Sequence, residues 1–110
     1  MIQVFHTIDP TFGRGPDPVW PDEYDHVANV DVPDGEHHRV FKLTNHIDRS
    51  WQENDGVTPV GEAISGARST SVGDVIVLSD GRVMRCASVG WKEIGNVVDE
   101  GLNWLTQGGE

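Results

Sequence analysis

A β-hairpin is the sequence feature that most constrains the fold of this chain. The apolar run 75–78 favours a strand, and a second apolar run follows at 82–89. Asp80-Gly81 between them supplies residues that tolerate the positive φ angles of a two-residue turn, so Leu78 is expected to pair with Val83. Both faces of this hairpin are then largely apolar, which predicts two interior strands of a sheet.

One charged side chain interrupts the apolar faces of the predicted hairpin. Arg85 lies opposite Ile76 in this register, and Asp74 is its diagonal neighbour. A guanidinium on a largely apolar face must find a partner or reach solvent. The sequence therefore predicts an Asp74–Arg85 ion pair at the end of the sheet, and the alternative is that Arg85 holds an acidic ligand.

The approach to the hairpin is also a candidate small-ligand corner. Such a site needs a concave surface with a few convergent polar groups. The candidates at this end of the sheet are Arg68, Ser69, Ser71, Asp74 and Arg85, with Trp91 nearby. The alternative is structural: Arg68 and the serines form a turn network that fixes the hairpin, with Gly73 supplying backbone freedom.

These residues also carry a family resemblance. Arg68-Ser-Thr-Ser-Val-Gly-Asp-Val-Ile-Val77, followed by Val89-Gly-Trp-Lys-Glu-Ile94, resembles the signature of YodL-like domains. That signature is an Arg-Ser-x-Ser-Val-x-Asp-Val-Val-x strand and then a strand ending in Gly-Phe or Gly-Trp. Upstream, 40–45 and 51–54 are similar to segments that precede it in small proteins of actinobacterial phages and plasmids.

The resemblance spans residues 37–94 and is strongest over 68–91. It implies a small α+β module of mobile genetic elements whose biochemical activity is undefined, and it offers no catalytic residues. Trp91 stands where Phe is more usual, a difference that affects packing more than chemistry.

Negative charge is concentrated in the first third of the chain. The formal net charge is −10 over 110 residues, and residues 1–38 hold eight acidic residues against Arg14 alone, a net charge of −7. Such a surface repels the nucleic acid backbone and favours basic partners. The sequence therefore predicts no direct DNA or RNA binding; plain solubility is the alternative explanation.

Much of this acidic segment is expected to be a long loop. Five prolines and two glycines within about 9–34 disfavour regular structure, and a loop of this length is usually functional or mobile. Its Trp20 and Tyr24 are expected to pin the loop to the core, with an exposed binding contact as the alternative. The candidate binding surface comprises Trp20, Asp22, Glu23, Tyr24 and Asp25.

Other segments complete the predicted fold. Ile2–His6 alternates and predicts a strand; apolar residues at helical spacing predict a helix over 35–47, with Asp34 as its N-cap. Residues 48–67 predict an irregular crossing anchored by Trp51, and 96–106 a short C-terminal helix. The expected fold is a single α+β domain over 1–110, mainly an antiparallel sheet with one helix packed on it and long irregular loops.

Catalytic templates are missing from the sequence. There is no Gly-x-Ser-x-Gly elbow, Walker loop or dinucleotide fingerprint, and the spacing of the five histidines matches no standard metal site. Cys86 is the lone cysteine and falls in an apolar strand, which predicts a quiet buried thiol. No catalytic residue, cofactor or metal is therefore predicted, and we expect a protein that is not an enzyme.

The leading functional hypothesis is a small interaction protein that binds a host or element-encoded protein. Two alternatives stay open: an acidic nucleic-acid mimic that inhibits a DNA-acting enzyme, and a small-ligand module at the Arg68–Trp91 corner. The chain has no apolar run of membrane-spanning length and no basic start followed by an apolar stretch, so a cytoplasmic protein that does not bind membranes is expected. The sequence leaves the oligomeric state and the identity of the partner undetermined.

Overall fold

The computed structural model describes residues 1–9, 16, 18–45, 51 and 54–97. Within these residues the chain forms a six-stranded sheet and a single short α-helix. The elements in chain order are β1 (Ile2–Thr7), β2 (Tyr24–Val30), α1 (Arg39–Leu43), β3 (Val57–Pro59), β4 (Val75–Val77), β5 (Arg82–Cys86) and β6 (Trp91–Asn96). The spatial order is β3-β2-β1-β4-β5-β6, and every neighbouring pair is antiparallel.

The predicted strands at 2–6, 74–79 and 82–89 are confirmed, with shorter bounds for the hairpin. β4 lies between β1 and β5, and β5 lies between β4 and β6, so both hairpin strands are interior as predicted. All three residues of β4 are buried. An unbroken apolar run suits such a strand because both of its faces must be covered.

The hairpin turn has three residues, not two. The amide of Gly81 donates to the carbonyl of Leu78 at 3.0 Å, and the amide of Leu78 donates to the carbonyl of Arg82 at 2.9 Å. Gly81 has a φ of 98°, as the last residue of a three-residue loop requires. Val77 therefore pairs with Val83, one position away from the predicted register, which was wrong.

A distant carboxylate holds this longer turn. Asp34 accepts hydrogen bonds from the amides of Ser79 and Asp80 at 2.8 and 3.1 Å. The predicted role of Asp34 as a helix N-cap was wrong: it opens a 3₁₀ turn, Asp34–Glu36, for which Pro33 is the cap residue without a side-chain bond. The carboxylate instead satisfies two turn amides from another part of the fold.

The sheet buries two apolar clusters, one on each face. The first face, which we call the helix face, carries Ile76, Leu78 and Met84 and packs against Val40 of α1 and Trp51. The opposite face, which we call the loop face, carries Phe5, Val75, Val77 and Val83, with Trp20 packed against them. Alternation along β4 sends successive side chains to opposite faces, so a single strand contributes to both clusters.

Strand β2 is the largest correction to the predicted organisation. Residues 24–30 were expected to belong to the irregular loop 9–34, but they pair with β1 over its whole length. Residues 10–15 and 17 of that loop lie outside the described residues. The Tyr24–Val30 segment contains Asp25, His26 and Asn29, whose low strand propensity hides the pattern; pairing with β1 overrides it.

The helix predicted over 35–47 is shorter in the structure. Its regular part is α1, Arg39–Leu43, preceded by the 3₁₀ turn, while residues 46 and 47 lie outside the described residues. The hydroxyl of Thr44 donates to the carbonyl of Val40 at 2.8 Å, and Thr44 has left helical geometry. The predicted packing is confirmed, because Val40 is fully buried in the core of the helix face.

The predicted crossing 48–67 is confirmed only in part, and the predicted start of the C-terminal helix was wrong. Trp51 is confirmed as a packing anchor at 1% exposure, but the crossing 48–67 also contains β3 and a 3₁₀ turn, Gly61–Ser65. The C-terminal helix was predicted to begin at residue 96, which is instead the end of β6; residues 98–106 lie outside the described residues. Strand β6 was missed because its residues 92, 93 and 95 are poor strand formers.

Candidate functional site

A buried ion pair organises the end of the sheet where β1 finishes and β4 begins. The two terminal nitrogens of Arg68 donate to the two carboxylate oxygens of Asp74, at 2.7 and 2.8 Å. Asp74 is fully buried, while 29% of the Arg68 side chain is exposed. The Asp74 carboxylate also accepts from the amides of Thr7 and Ser71, at 3.0 and 2.8 Å. One carboxylate thus ties three chain segments together.

The terminal nitrogens of Arg68 make several further hydrogen bonds. Besides Asp74 the guanidinium reaches the carbonyl and hydroxyl oxygens of Thr7 at 3.2 and 3.0 Å. It also reaches the Ser69 carbonyl at 3.1 Å and the Ser71 hydroxyl at 3.3 Å. A bidentate pair with these further acceptors uses the terminal N–H groups internally. This arrangement has the form of the turn network that was the structural alternative to a ligand corner.

The predicted ligand corner is split by the structure. Arg68, Ser69, Ser71 and Asp74 lie together, but Arg85 pairs with Val75 and so lies on the loop face. There Arg85 donates to the carbonyl of Pro18 at 3.0 Å. The predicted Asp74–Arg85 ion pair was wrong, because the one-residue change of register sends the two side chains to opposite faces.

Trp91 belongs to a different depression. It pairs with Cys86 at the start of β6 and is half-buried. Together with Phe41 and His38 it lines a cavity of about 260 Å³ beside α1. Trp91 is thus not a wall of the cleft that Arg68 lines.

Beside the ion pair, His6 begins a buried chain of hydrogen bonds. Its Nε2 lies 2.8 Å from the hydroxyl of Thr70, which lies 2.7 Å from the hydroxyl of Thr44; that hydroxyl in turn lies 2.8 Å from the Val40 carbonyl. Each hydroxyl has one proton and the Val40 carbonyl can only accept, so Thr44 donates to Val40. Thr70 must then donate to Thr44, and His6 to Thr70, for all three contacts to be hydrogen bonds. The chain therefore assigns the proton of neutral His6 to Nε2.

Burial keeps the His6 ring neutral. The pKa of His6 is lowered from 6.5 to about 4, chiefly because burial disfavours the charged form. Asp74 opposes this shift, with an oxygen 3.9 Å from Nε2, and the positive charge of Arg68 adds to it. His6 is 4% exposed, so at neutral pH this contact is not an ion pair. The signal for this residue in the sequence is a histidine inside an apolar strand.

A cleft of about 590 Å³ opens next to this network. Its walls include His6, Asp25 and Arg68, with apolar surface from Ile8, Val27, Ala63 and Ala67. The volume falls within the range typical of ligand pockets. His6 forms part of the wall, and its Nδ1 makes no hydrogen bond within the part of the chain that the structure describes. The wall of the cleft therefore includes both an imidazole and a carboxylate.

The predicted acidic surface divides into exposed acids and inward aromatic rings. Asp22, Glu23 and Asp25 are exposed. Trp20 is half-buried, with ring centroids 5.1 Å from Phe5 and 5.2 Å from Tyr24. Tyr24 is 7% exposed, and its hydroxyl donates to the carbonyl of Gly73 at 2.6 Å. The two aromatic residues thus pin this segment to the sheet, as expected, and leave the carboxylates at the surface.

Two exposed apolar side chains lie among these acids and were missed by the sequence reasoning. Ile8 is 61% exposed and Val19 is 56% exposed. Glu23 connects them: its carbonyl accepts from the Ile8 amide at 3.0 Å, and its carboxylate accepts from the Val19 amide at 2.6 Å. We call Ile8, Val19, Asp22, Glu23 and Asp25 the acidic corner. Its hydrogen bonds join the backbone of two exposed apolar residues, Ile8 and Val19, to the exposed residue Glu23.

Cys86 is a free, buried thiol. Burial, followed by the negative charge of Asp74, raises the pKa of its thiol to about 11, and the residue is 5% exposed. We expect the native protein to react with a thiol reagent about a hundredfold more slowly than a model thiol, since little thiolate is present. Absorbance during labelling measures this, with guanidinium-unfolded protein as the reactive control. Rapid labelling of native protein would contradict the expectation.

Comparison of the chain with protein-family models, curated proteins and solved structures finds no match. Among the described residues, no three His, Cys, Asp or Glu side chains are grouped closely enough to hold a metal ion. In the same part of the chain, no helix has both the length and the apolar character needed to cross a membrane.

Proposed function

We propose that this protein is a small α+β interaction module that binds a basic region of a host or element-encoded protein through its acidic corner. The observation that carries the proposal is the position of Ile8 and Val19, two exposed apolar residues whose backbone amides both donate to the exposed residue Glu23. Apolar contacts supply affinity in an interface, and surrounding charge selects and orients the partner.

The charge of the chain supports a basic partner. The first 38 residues carry a net charge of −7, and Asp22, Glu23 and Asp25 present part of it beside the apolar pair. Opposite charge on a partner accelerates encounter and disfavours acidic competitors. The family resemblance at 68–91 adds the proposal that the partner belongs to the host or to a mobile element.

Nucleic-acid mimicry is less well supported as the mode of binding. It needs carboxylates at phosphate-like spacing, yet several acids of this segment serve internal contacts. Asp34 holds the hairpin turn, Glu36 pairs with Arg39 at 3.0 Å, and Glu23 accepts from Val19. An interface with an apolar centre uses the observed arrangement more directly.

Partner capture from actinobacterial lysate, at about 150 mM salt, tests the proposal. We expect the wild-type protein to retain a partner specifically, and the double variant Ile8→Ser/Val19→Ser to retain about tenfold less, because two apolar contacts are lost. The matched control is Val89→Ser, which removes a side chain that is 91% exposed at the β5–β6 turn.

Mass spectrometry identifies and quantifies the retained protein, and thermal unfolding checks that both variants remain folded. Equal capture by the wild type and the double variant, or no partner above a tag-only control, would overturn the proposed function. Loss of capture in Val89→Ser would instead place the interface at the β5–β6 turn and also overturn it.

A further inference from the structure

The cleft contains two acceptor groups that face the same side of the sheet. His6 and Asp25 are direct partners in the β1–β2 register, so their side chains project from the same face with Cβ atoms about 4.5–5.5 Å apart. His6 lies on the helix face, where its ring contacts Trp51 and Thr70. The Asp25 carboxylate therefore lies beside the imidazole in the wall of the cleft.

Both groups accept hydrogen bonds, and one is anionic. Nε2 of His6 donates into the Thr70–Thr44 chain, which leaves a lone pair on Nδ1. Asp25 is exposed and adds a negative charge. A ligand that satisfies both groups must present several N–H donors and a positive charge, which is the chemistry of a guanidinium.

The positive charge of Arg68 does not cancel the preference of the cleft for a cationic ligand. Its positive charge is matched by Asp74 at 2.7 and 2.8 Å, and its terminal nitrogens are bound to Thr7, Ser69 and Ser71. Because the buried Asp74 compensates the charge of Arg68, the remaining acidic side chain in the wall of the cleft is Asp25. The apolar surface of Val27, Ala63 and Ala67 suits the methylene chain that carries a guanidinium.

We propose that the cleft between His6 and Asp25 receives an arginine side chain of the protein partner. This inference rests on the proposed function for its source of arginine, and it deepens that function by giving the partner a specific residue. The cleft shares Ile8 and Asp25 with the acidic corner, so one partner can occupy both.

Titration of the ¹⁵N-labelled protein with acetyl-Gly-Arg-Gly-amide, followed by NMR, tests the inference. We expect saturable shifts at the amides of His6, Asp25 and Ala67, with a dissociation constant on the order of millimolar for this single side chain. The variant Asp25→Asn should weaken binding about tenfold, because it removes the negative charge and retains the size of the side chain.

The matched control is Asp31→Asn, which removes the same charge from an exposed residue that does not line the cleft. It should bind the peptide as the wild type does. Shifts that stay linear, or equal weakening by the two variants, would overturn the inference. Equal binding of acetyl-Gly-Lys-Gly-amide would overturn the assignment to a guanidinium, and tighter binding of free L-arginine would overturn the protein source.

These outcomes are separate from those of the capture experiment. The capture experiment depends on Ile8 and Val19, whereas the titration depends on Asp25 and uses no partner. Partner capture with no saturable peptide binding overturns the inference and leaves the proposed function standing. Saturable peptide binding without specific capture overturns the proposed function, and with it the assignment of the arginine to a protein partner.

Discussion

Replacing Asp74 with asparagine is expected to lower the free energy of unfolding by about 3 kcal/mol, near the lower end for breaking a buried ion pair. The fully buried carboxylate accepts from both terminal nitrogens of Arg68 and from the amides of Thr7 and Ser71. Asparagine supplies one acceptor oxygen and turns an NH₂ group toward donors. The lower end applies because 29% of the Arg68 side chain still contacts solvent.

Urea denaturation and thermal unfolding measure this loss, which corresponds to a decrease in Tm of about 10–20 °C for a domain of this size. The control is Asp80→Asn, which breaks the exposed Asp80–Arg82 pair at 2.8 Å and should change stability little, because solvent already screens it. If the two variants lost the same free energy of unfolding, the buried Asp74–Arg68 pair would stabilise the fold no more than the exposed Asp80–Arg82 pair does.

The second large effect is a dependence of stability on pH that comes from His6. Its pKa is about 4 in the folded protein, against 6.5 for an exposed histidine. Between these values the unfolded chain binds a proton that the folded protein does not, so stability is fully present above pH 6.5 and decreases as the pH falls toward 4. From about pH 7 to 5 the expected loss is about 2 kcal/mol.

Urea midpoints over this range, for the wild type and His6→Gln, measure the contribution. Glutamine retains an N–H donor toward Thr70 and has no charge to gain, so the variant should lose most of the pH dependence whatever its absolute stability. His38→Gln is the control, because His38 is exposed and the dependence should survive its removal. A slope that persisted in His6→Gln would assign the effect to other groups.

Local chemistry was sufficient to predict the strands with the strongest patterns. The apolar run at 75–78 predicted an interior strand, and the alternating Ile2–His6 segment predicted β1. Trp51 was expected to anchor the core because a large ring in an irregular segment has much surface to bury, and it is 1% exposed. In each case the signal lies within a few neighbouring residues.

Predictions that needed a distant partner failed. The three-residue hairpin turn is bonded to Asp34, whose carboxylate accepts from the Ser79 amide 45 residues away. The partner of Asp74 is Arg68 and not Arg85, because the changed register sends Arg85 to the loop face. β2 has residues of low strand propensity and forms because it can pair with β1.

The candidate site also contains residues that the sequence identified and neighbours that only the fold brings together. The sequence identified the acids at 22, 23 and 25 and the cluster formed by Arg68, Ser69, Ser71 and Asp74. It did not identify Ile8 and Val19 as exposed residues beside Glu23, since that placement is set by hydrogen bonds from their amides to Glu23. It also gave no reason to place His6 beside Asp25, because that pairing follows from the β1–β2 register.

The sequence by itself determined the interior hairpin, the anchoring aromatic residues and the concentration of negative charge, because each depends on side-chain type and near-neighbour spacing. Only the tertiary structure decided the register, the Arg68–Asp74 pair, the neutral His6 and the cleft. Buried charges and hydrogen-bonding groups choose among the partners that the folded chain brings within about 3 Å, and that choice is made between residues far apart in sequence.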